Sequence, residues 1–426
     1  MSDNNFESEL VIGLVGAVGT EMSQVIELLE EPFRLAGYES KIIKVSKEVI
    51  PLLVDTDPSP QDQFKRITDL MDAGNRARGA TVDNGVLSSG VATLIYNDRP
   101  KRDRKPEPKY RRVVIVDSLK RPEEVERLRT IYSGGFVLVG IHSEEDQRID
   151  NLVRNRGINQ EDAIELVRRD RDETSVPSGQ RLNRTFHLAD FFVRINENRE
   201  RLRQDLRRMV ELWFGNPYHT PTFDEFAMYM AFSAALRSAD LSRQVGAVIA
   251  REQTILATGA NDCPRPGGGL YWPERDETHR ISDQPLGRDH TRERDSNRTE
   301  QLAIMGELAD RLRERGMDRD SAIKILSSSR LADLTEFGRM VHAEMEAILS
   351  CGRLGIATTG TTLYSTTFPC HNCAKHIVAA GIGRVVYVEP YPKSRALDLH
   401  DDSISVNSAG EANKVGFEPF VGIGPR

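Results

Sequence analysis

The chain has 426 residues, 38% of them hydrophobic and 29% charged, with a formal net charge of −7. That length exceeds an ordinary domain of roughly 100–200 residues, so two domains are expected. No apolar run approaches the ~18–20 residues of a membrane helix, and an acidic balance disfavours a broad polyanion-binding face, so membrane spans and polymeric nucleic-acid substrates are both disfavoured.

In chain order, Val11–Gly16 is an apolar, β-branched run ending in glycine, and Glu21–Glu30 repeats apolar residues at helical spacing; together they predict strand, glycine loop and helix. The polar opening lacks the basic region and cleavage site of a secretory signal, which predicts a cytoplasmic protein. Lys41–Val45 and Val113–Asp117 predict further strands, Pro122–Tyr132 a helix and Phe136–Ile141 another strand. Alternation of this kind predicts an α/β domain with a parallel sheet. Asn97–Arg112 is basic and proline-bearing, the composition of a solvated loop.

Glu144–Arg171 and Asn196–Phe214 are arginine-rich with helical period, and the apolar run Phe191–Ile195 lies between them. Gly215-Asn216-Pro217 then breaks the pattern and sets the expected domains at 1–215 and 216–426. Thr222-Phe-Asp-Glu225 spells a capping box at the head of an amphipathic segment reaching Asp240, and Val245–Ala250 with Thr254–Gly259 predicts a hairpin. Asn261–Arg339 behaves as an insertion, with one helical stretch from Glu300 to Arg315. The order helix (Val341–Gly352), strand (Thr361–Ser365), helix (His371–Ala380) and strand (Arg384–Glu389) predicts a second α/β layer.

Four cysteines in so long a chain are too few for a disulfide framework, and Cys370 and Cys373 stand three apart. With His342-Ala343-Glu344 upstream and Pro369 before the first cysteine, they complete the H-x-E…P-C-x-x-C spacing of zinc nucleobase deaminases. A catalytic zinc site takes three protein ligands and leaves one position for water, and His342, Cys370 and Cys373 meet that count. Cysteines at a helix start have their thiolate form favoured by free amides and the helix dipole. Zinc would bring the pKa of a water to ~7, and Glu344, beside the metal but not bound to it, would carry protons between water, ring nitrogen and leaving ammonia. The competing readings are a structural zinc or redox CxxC. A zinc ribbon lacks its second pair, since Cys263 and Cys351 are isolated, and a redox pair leaves the His-Ala-Glu triplet unexplained. Cys351 is expected in the core, and His371 and His376 at the surface or in helix packing.

On these motifs the C-terminal half resembles the deoxycytidylate deaminase family, with its cytidine-deaminase-like fold. Ser242-Arg243-Gln244-Val245-Gly246-Ala247-Val248-Ile249 and Ala257-Thr258-Gly259-Ala260-Asn261 are similar to that family's first hairpin. The resemblance implies that Asn261 contacts the substrate sugar and that Ser242 and Arg243 contact the nucleotide. Guanidinium suits phosphate, although an arginine is as often a surface ion-pair member. Over its whole length the chain is similar to the antiviral dCTP deaminases of bacteria, with the segment Met228–Val248 and the His-Ala-Glu triplet carrying most of that likeness. The implied architecture is an N-terminal P-loop kinase-like parallel sheet with flanking helices, followed by a cytidine-deaminase-like α/β/α domain. The implied activity is deamination of free dCTP and dCMP, draining the dCTP pool during phage infection.

Gly13-Leu-Val-Gly16-Ala-Val-Gly19-Thr20 would cradle phosphate between strand and helix, with Gly13, Gly16, Gly19 and Thr20 as nucleotide contacts. The loop departs from the P-loop pattern: Thr20 stands where lysine belongs and Glu21 where the magnesium-binding hydroxyl belongs. A regulatory rather than phosphoryl-transferring domain is therefore expected. Asp117 stands where a magnesium-associated acid would, or else caps the next helix, and Arg154–Arg171 resembles a kinase lid or a solvated face. Expected partners are deoxycytidine nucleotides, a regulatory nucleotide, phage signal or inhibitory RNA, and further copies of the chain, since deaminases of this fold commonly assemble.

Three other functions compete. A polynucleotide deaminase would need a basic, aromatic channel, against 6% aromatic residues and net acidity. A nucleotide kinase or sensor could use the deaminase-like half as a binding module, but all four catalytic positions are intact. The same zinc chemistry could act on guanine or a pterin precursor, and the Asn261 hairpin is what favours deoxycytidine nucleotides.

Overall fold

The computed structural model describes residues 8–56, 58, 61–171, 179–196, 198–391, 394–406 and 413–425. The chain forms two compact units, Met1–Glu225 with Pro419–Arg426, and Phe226–Glu418. Among the described residues no helix is long and apolar enough to cross a membrane. The opening segment 1–7, on which the absence of a secretory signal was expected, lies outside the described residues.

In the first unit, strands β1 (Glu9–Gly16), β2 (Glu39–Lys44), β3 (Arg112–Asp117), β4 (Phe136–His142) and β5 (Phe191–Arg194) are all parallel, in the order β2-β3-β1-β4-β5. β1 is buried along its whole length because strands flank it on both sides and helices cover both faces. Leu10, Ile12 and Leu14 pack with Val25, Leu28, Leu29 and Phe33 of α1 (Met22–Leu35). Each such side chain contributes about 1.5–3 kcal/mol on burial. α1 runs five residues past the predicted end, through Pro32, because fully buried Phe33 anchors its last turn. Two helices that the sequence pattern missed, Gln63–Thr81 (α2) and Val86–Asn97 (α3), fill the crossover from β2 to β3. The arginine-rich stretch after β4 divides into α4 (Glu145–Arg156) and α5 (Gln160–Arg171), where Gly157 takes φ +68 at the C-cap. The strand Gly422–Ile423 closes the sheet antiparallel to β5.

The second unit begins in α6 (Phe223–Ala235). Its capping box forms as spelled: the Thr222 amide donates to Glu225 Oε2 at 2.7 Å and the Glu225 amide to Thr222 Oγ1 at 3.3 Å. The predicted hairpin is β6 (Gly246–Arg251) and β7 (Thr254–Ala260), joined in one sheet to β8 (Thr362–Thr367) and β9 (Arg384–Glu389). β8 runs parallel to β9 and antiparallel to β6.

Two glycines set the layers. A Cβ on Gly246 would lie 1.9 Å from the Ala231 carbonyl oxygen, so the backbone of α6 rests directly on one face of the hairpin. On the other face a Cβ on Gly259 would lie 2.1 Å from the Ala343 oxygen, so α7 (Ala343–Arg353) rests there. Both units are thus α/β, the second with helices on either face of its sheet.

The insertion carries helices Ser296–Arg313 and Arg319–Ser327. It closes at its neck, where Asp262 and Val341 pair antiparallel through bonds of 3.2 and 3.0 Å. The residue before one arm of the neck is Asn261 and the residue after the other is His342.

Candidate zinc centre and the deaminase site

His342 is the N-cap of α7 and Cys370 the N-cap of α8 (His371–Ala379), both in extended backbone. Two helix starts thereby bring their N-cap side chains together. The Cys370 and Cys373 sulfurs each lie 3.3 Å from His342 Nδ1, and the three donor atoms fall within 4.8 Å of one another. With Zn–S of ~2.3 Å and Zn–N of ~2.0–2.1 Å, tetrahedral ligands sit about 3.6 Å apart, which this triad approximates.

The Cys373 thiol and the His342 ring hold the Cys370 thiol down at about 4. The Cys370 sulfur in turn holds His342 up at about 9, and Cys370 together with burial pushes Cys373 well above the ordinary thiol range. Protons shared among two sulfurs and an imidazole are those a divalent cation replaces on binding. His342, Cys370 and Cys373 thus form a group that fits zinc.

Glu344 projects from the first turn of α7 into the same buried space, with Oε2 accepting from Cys373 Sγ at 3.4 Å and Oε1 from Ser365 Oγ at 3.5 Å. It is 4% exposed, and burial pushes its carboxyl up. A carboxyl buried beside a metal group is placed to take and give protons there.

Asn261 directly follows β7, and its side chain is engaged by the chain itself. Oδ1 accepts the Val245 amide at 2.6 Å, while Nδ2 donates to the Arg243 carbonyl at 2.7 Å and to Asp240 Oδ2 at 3.1 Å. Ser242 donates its amide and hydroxyl to Asp240 Oδ1. Arg243 is ion-paired with Glu389 at the end of β9. α6 stops at Ala235 rather than the expected Asp240, and the residues beyond form this loop around the Asp240 carboxylate. Sequence reasoning missed Asp240; the spelling Asp-x-Ser just before the hairpin is an Asx-turn signal that would have marked it. It also missed Ser365, which nothing in the local sequence singles out.

Cys351 is fully buried among Ala343, Ala347 and Leu363, as expected of a core residue. Burial pushes the Cys263 thiol up to about 11. Among the described residues neither His371 nor His376 joins the metal group, and exposed His376 meets the Asn372 carbonyl instead.

In the first unit the glycine-loop residues part company. Gly13 lies inside β1, where a Cβ would meet Leu119 at 2.7 Å, so its place is in packing rather than in the loop. Gly16 ends β1, Gly19 takes φ +83 against the Arg148 backbone, and both line a cavity with Thr20 and Asp117.

Residues 221–389 match the family model of the cytidine and deoxycytidylate deaminase zinc-binding region. The donor group and Glu344 lie within that region, so the C-terminal unit carries a zinc-binding region of the cytidine and deoxycytidylate deaminase type. Parts of the chain are similar to several known proteins. Over 53 residues it is 49% identical to ComE operon protein 2 of Bacillus subtilis, a match spanning 12% of this chain and 28% of that protein. Over 170 residues it is 29% identical to the deoxycytidylate deaminase of Enterobacteria phage T2, spanning 39% of this chain and 80% of that protein. Among solved structures, the dCMP deaminase from the cyanophage S-TIM5 in complex with dCMP and dUMP aligns over 48% of this chain and 100% of that one, with 19% identity and a TM-score of 0.27.

Proposed function

We propose that the protein deaminates free deoxycytidine nucleotides, dCMP and dCTP, to the uracil nucleotides and ammonia, and that in its cell this drains dCTP against phage replication. The observation that carries the chemistry is the buried Glu344 carboxyl, 3.4 Å from Cys373 within the His342, Cys370 and Cys373 group. Zinc bound there would supply Lewis acidity, lowering the pKa of a water towards neutrality.

The chain's own residues do the rest. Glu344 accepts a proton from the nucleophile and returns it to the ring nitrogen; it then takes the second proton, from the hydroxyl now on the attacked ring carbon, and passes it to the departing amine as that carbon becomes a carbonyl. Ser365 holds Oε1 so that Oε2 keeps facing the metal group. Both amide hydrogens of Asn261 are spent on Asp240 and Arg243, so towards a sugar it offers only the second lone pair of Oδ1; the sugar hydroxyl must then donate. Arg243 and Ser242 stand at the mouth of the same loop as phosphate contacts, and Arg243 would exchange Glu389 for phosphoryl oxygens. The N-terminal unit serves as a regulatory domain.

The test is ammonia release and product mass with dCTP, dCMP, CTP, deoxycytidine and a cytosine-bearing oligonucleotide. Conversion of dCMP or dCTP by the wild type and not by Glu344→Gln supports the reading. Activity confined to the oligonucleotide replaces the substrate class, and an unchanged dCTP pool in infected cells removes the antiviral role.

A further inference from the structure

At the carboxyl ends of β1, β2 and β3 lies a cavity of about 330 Å³, within the usual ~300–1,000 Å³ of small-molecule sites. It stands where the strand order turns: β1 is followed by strands to one side, then by β4 on the other, the position at which open α/β sheets form their binding crevice. Its wall is strongly cationic on a chain that is acidic overall.

Two of those cations are neutralised internally. Arg78 pairs with Glu124 at 2.7 Å, and Lys120 with Asp170 at 3.0 Å. Lys44, Lys47, Arg66 and Arg156 pair with no carboxylate among the described residues; Arg66 has only a 3.3 Å bond to the Gln63 side-chain oxygen. The one remaining carboxylate of the cavity is Asp117. Lys44, Lys47, Lys120 and Arg156 line the same cavity as Asp117, whose carboxyl burial pushes up while those four cations pull it back. Like charges gathered over a partly buried floor repel each other and focus the field on an anion.

The glycine loop at one edge of this cavity is closed. The Val18 amide donates to Asp170 Oδ2 at 2.6 Å, and Lys120 Nζ ties Asp170 to the Gly16 carbonyl at 3.0 Å. Asn151 holds the Gly19 carbonyl at 2.7 Å. A carboxylate of the chain thus occupies the loop amide on which an incoming oxyanion would rest.

We propose that this cavity binds a small metabolite bearing two or more phosphoryl groups, held by Lys44, Lys47, Arg66 and Arg156 rather than by the glycine loop. The site belongs to the first unit and is read out by binding, so its fate is separate from that of the deaminase reading.

Titration calorimetry of the full chain with inorganic tripolyphosphate, pyrophosphate and orthophosphate tests it. Saturable binding is expected, tightest for tripolyphosphate and weakening with added NaCl. Lys44→Gln and Arg66→Gln should each lose at least about tenfold in affinity, as charge-assisted contacts do. Exposed Lys47→Gln, which no packing argument touches, should lose several-fold, and Asp170→Asn, which removes one wall carboxylate and frees Lys120, should tighten binding by no more than about threefold because the loop takes no part. If Asp170→Asn tightens binding tenfold while the cation variants bind as wild type, the phosphoryl groups sit on the loop and the proposal fails. It fails equally if none of the three anions binds at millimolar concentration, or if folded Lys47→Gln and Arg66→Gln proteins retain full affinity.

Discussion

Replacing Gly259 by alanine would probe the support of the metal site without touching a ligand. A Cβ there would lie 2.1 Å from the Ala343 oxygen and 2.6 Å from the Ala347 nitrogen, both backbone atoms of the helix that begins at His342. Neither can rotate away, so α7 must retreat by about 1 Å to restore ordinary contact, carrying His342 and Glu344 with it. Overpacking of this kind costs about 1–3 kcal/mol. In a unit of this size that lowers Tm by roughly 3–10 °C. A misplacement near 1 Å costs on the order of 100-fold in rate. Deaminase kcat/KM, zinc content and melting temperature should be measured beside Gly352→Ala, on the exposed side of the same helix with nothing within 4 Å of its Cβ. That control should gain up to about 1 kcal/mol and keep its activity. A Gly259→Ala protein with wild-type kcat/KM and Tm would refute the claim that the hairpin glycine sets the position of the catalytic helix.

Glu344→Gln should remain folded and retain metal while turnover falls about 10²–10⁴-fold; a kcat near wild type excludes it as the proton carrier. For Cys373→Ala, elemental analysis should show zinc lost, together with a lower Tm, and full occupancy would remove it from the ligand set. Asp240→Ala removes the acceptor shared by Ser242, Arg243 and Asn261, so KM should rise about tenfold with a smaller change in kcat; the reverse pattern would move Asp240 out of substrate positioning.

In the first unit, burial pushes the Glu225 carboxyl up, but Arg208 and the amides of Ile423 and Thr222 outweigh it and leave the pKa lowered. A lowered folded pKa means this contribution is complete above the unfolded value of ~4.3 and lost as pH falls through the folded one. The Tm of Glu225→Gln should therefore fall below wild type at pH 7, with the gap closing as pH drops below about 4; a gap independent of pH would count against the ion pair.

The metal site was legible in the sequence because its parts are local. His342 and Glu344 share one helix start, Cys370 and Cys373 another, and zinc chemistry constrains which residue types stand at such spacings. The inner strands of both sheets were legible for a related reason, since an apolar β-branched run such as Val113–Asp117 carries its burial within itself, whereas Ile404–Ser405, Val415–Pro419 and Gly422–Ile423 were not read. Gln63–Thr81 was not: Phe64, Ile67 and Met71 stand at helical spacing only in its first half, and beyond them it buries Ala73, Gly74, Ala77 and the ion-paired Arg78, whose partner is Glu124, 46 positions away. Nor could any local pattern announce that Gly422–Ile423 would return to pair with β5, that Asp240 and the Arg243 carbonyl would take the two amide hydrogens of Asn261, or that Asp170 would cross 152 positions to cap Val18. A residue's neighbours along the chain set its periodicity and its capping. Which distant group it meets is decided only when the sheets and helices pack, and in this protein that packing closes the glycine loop and holds the asparagine.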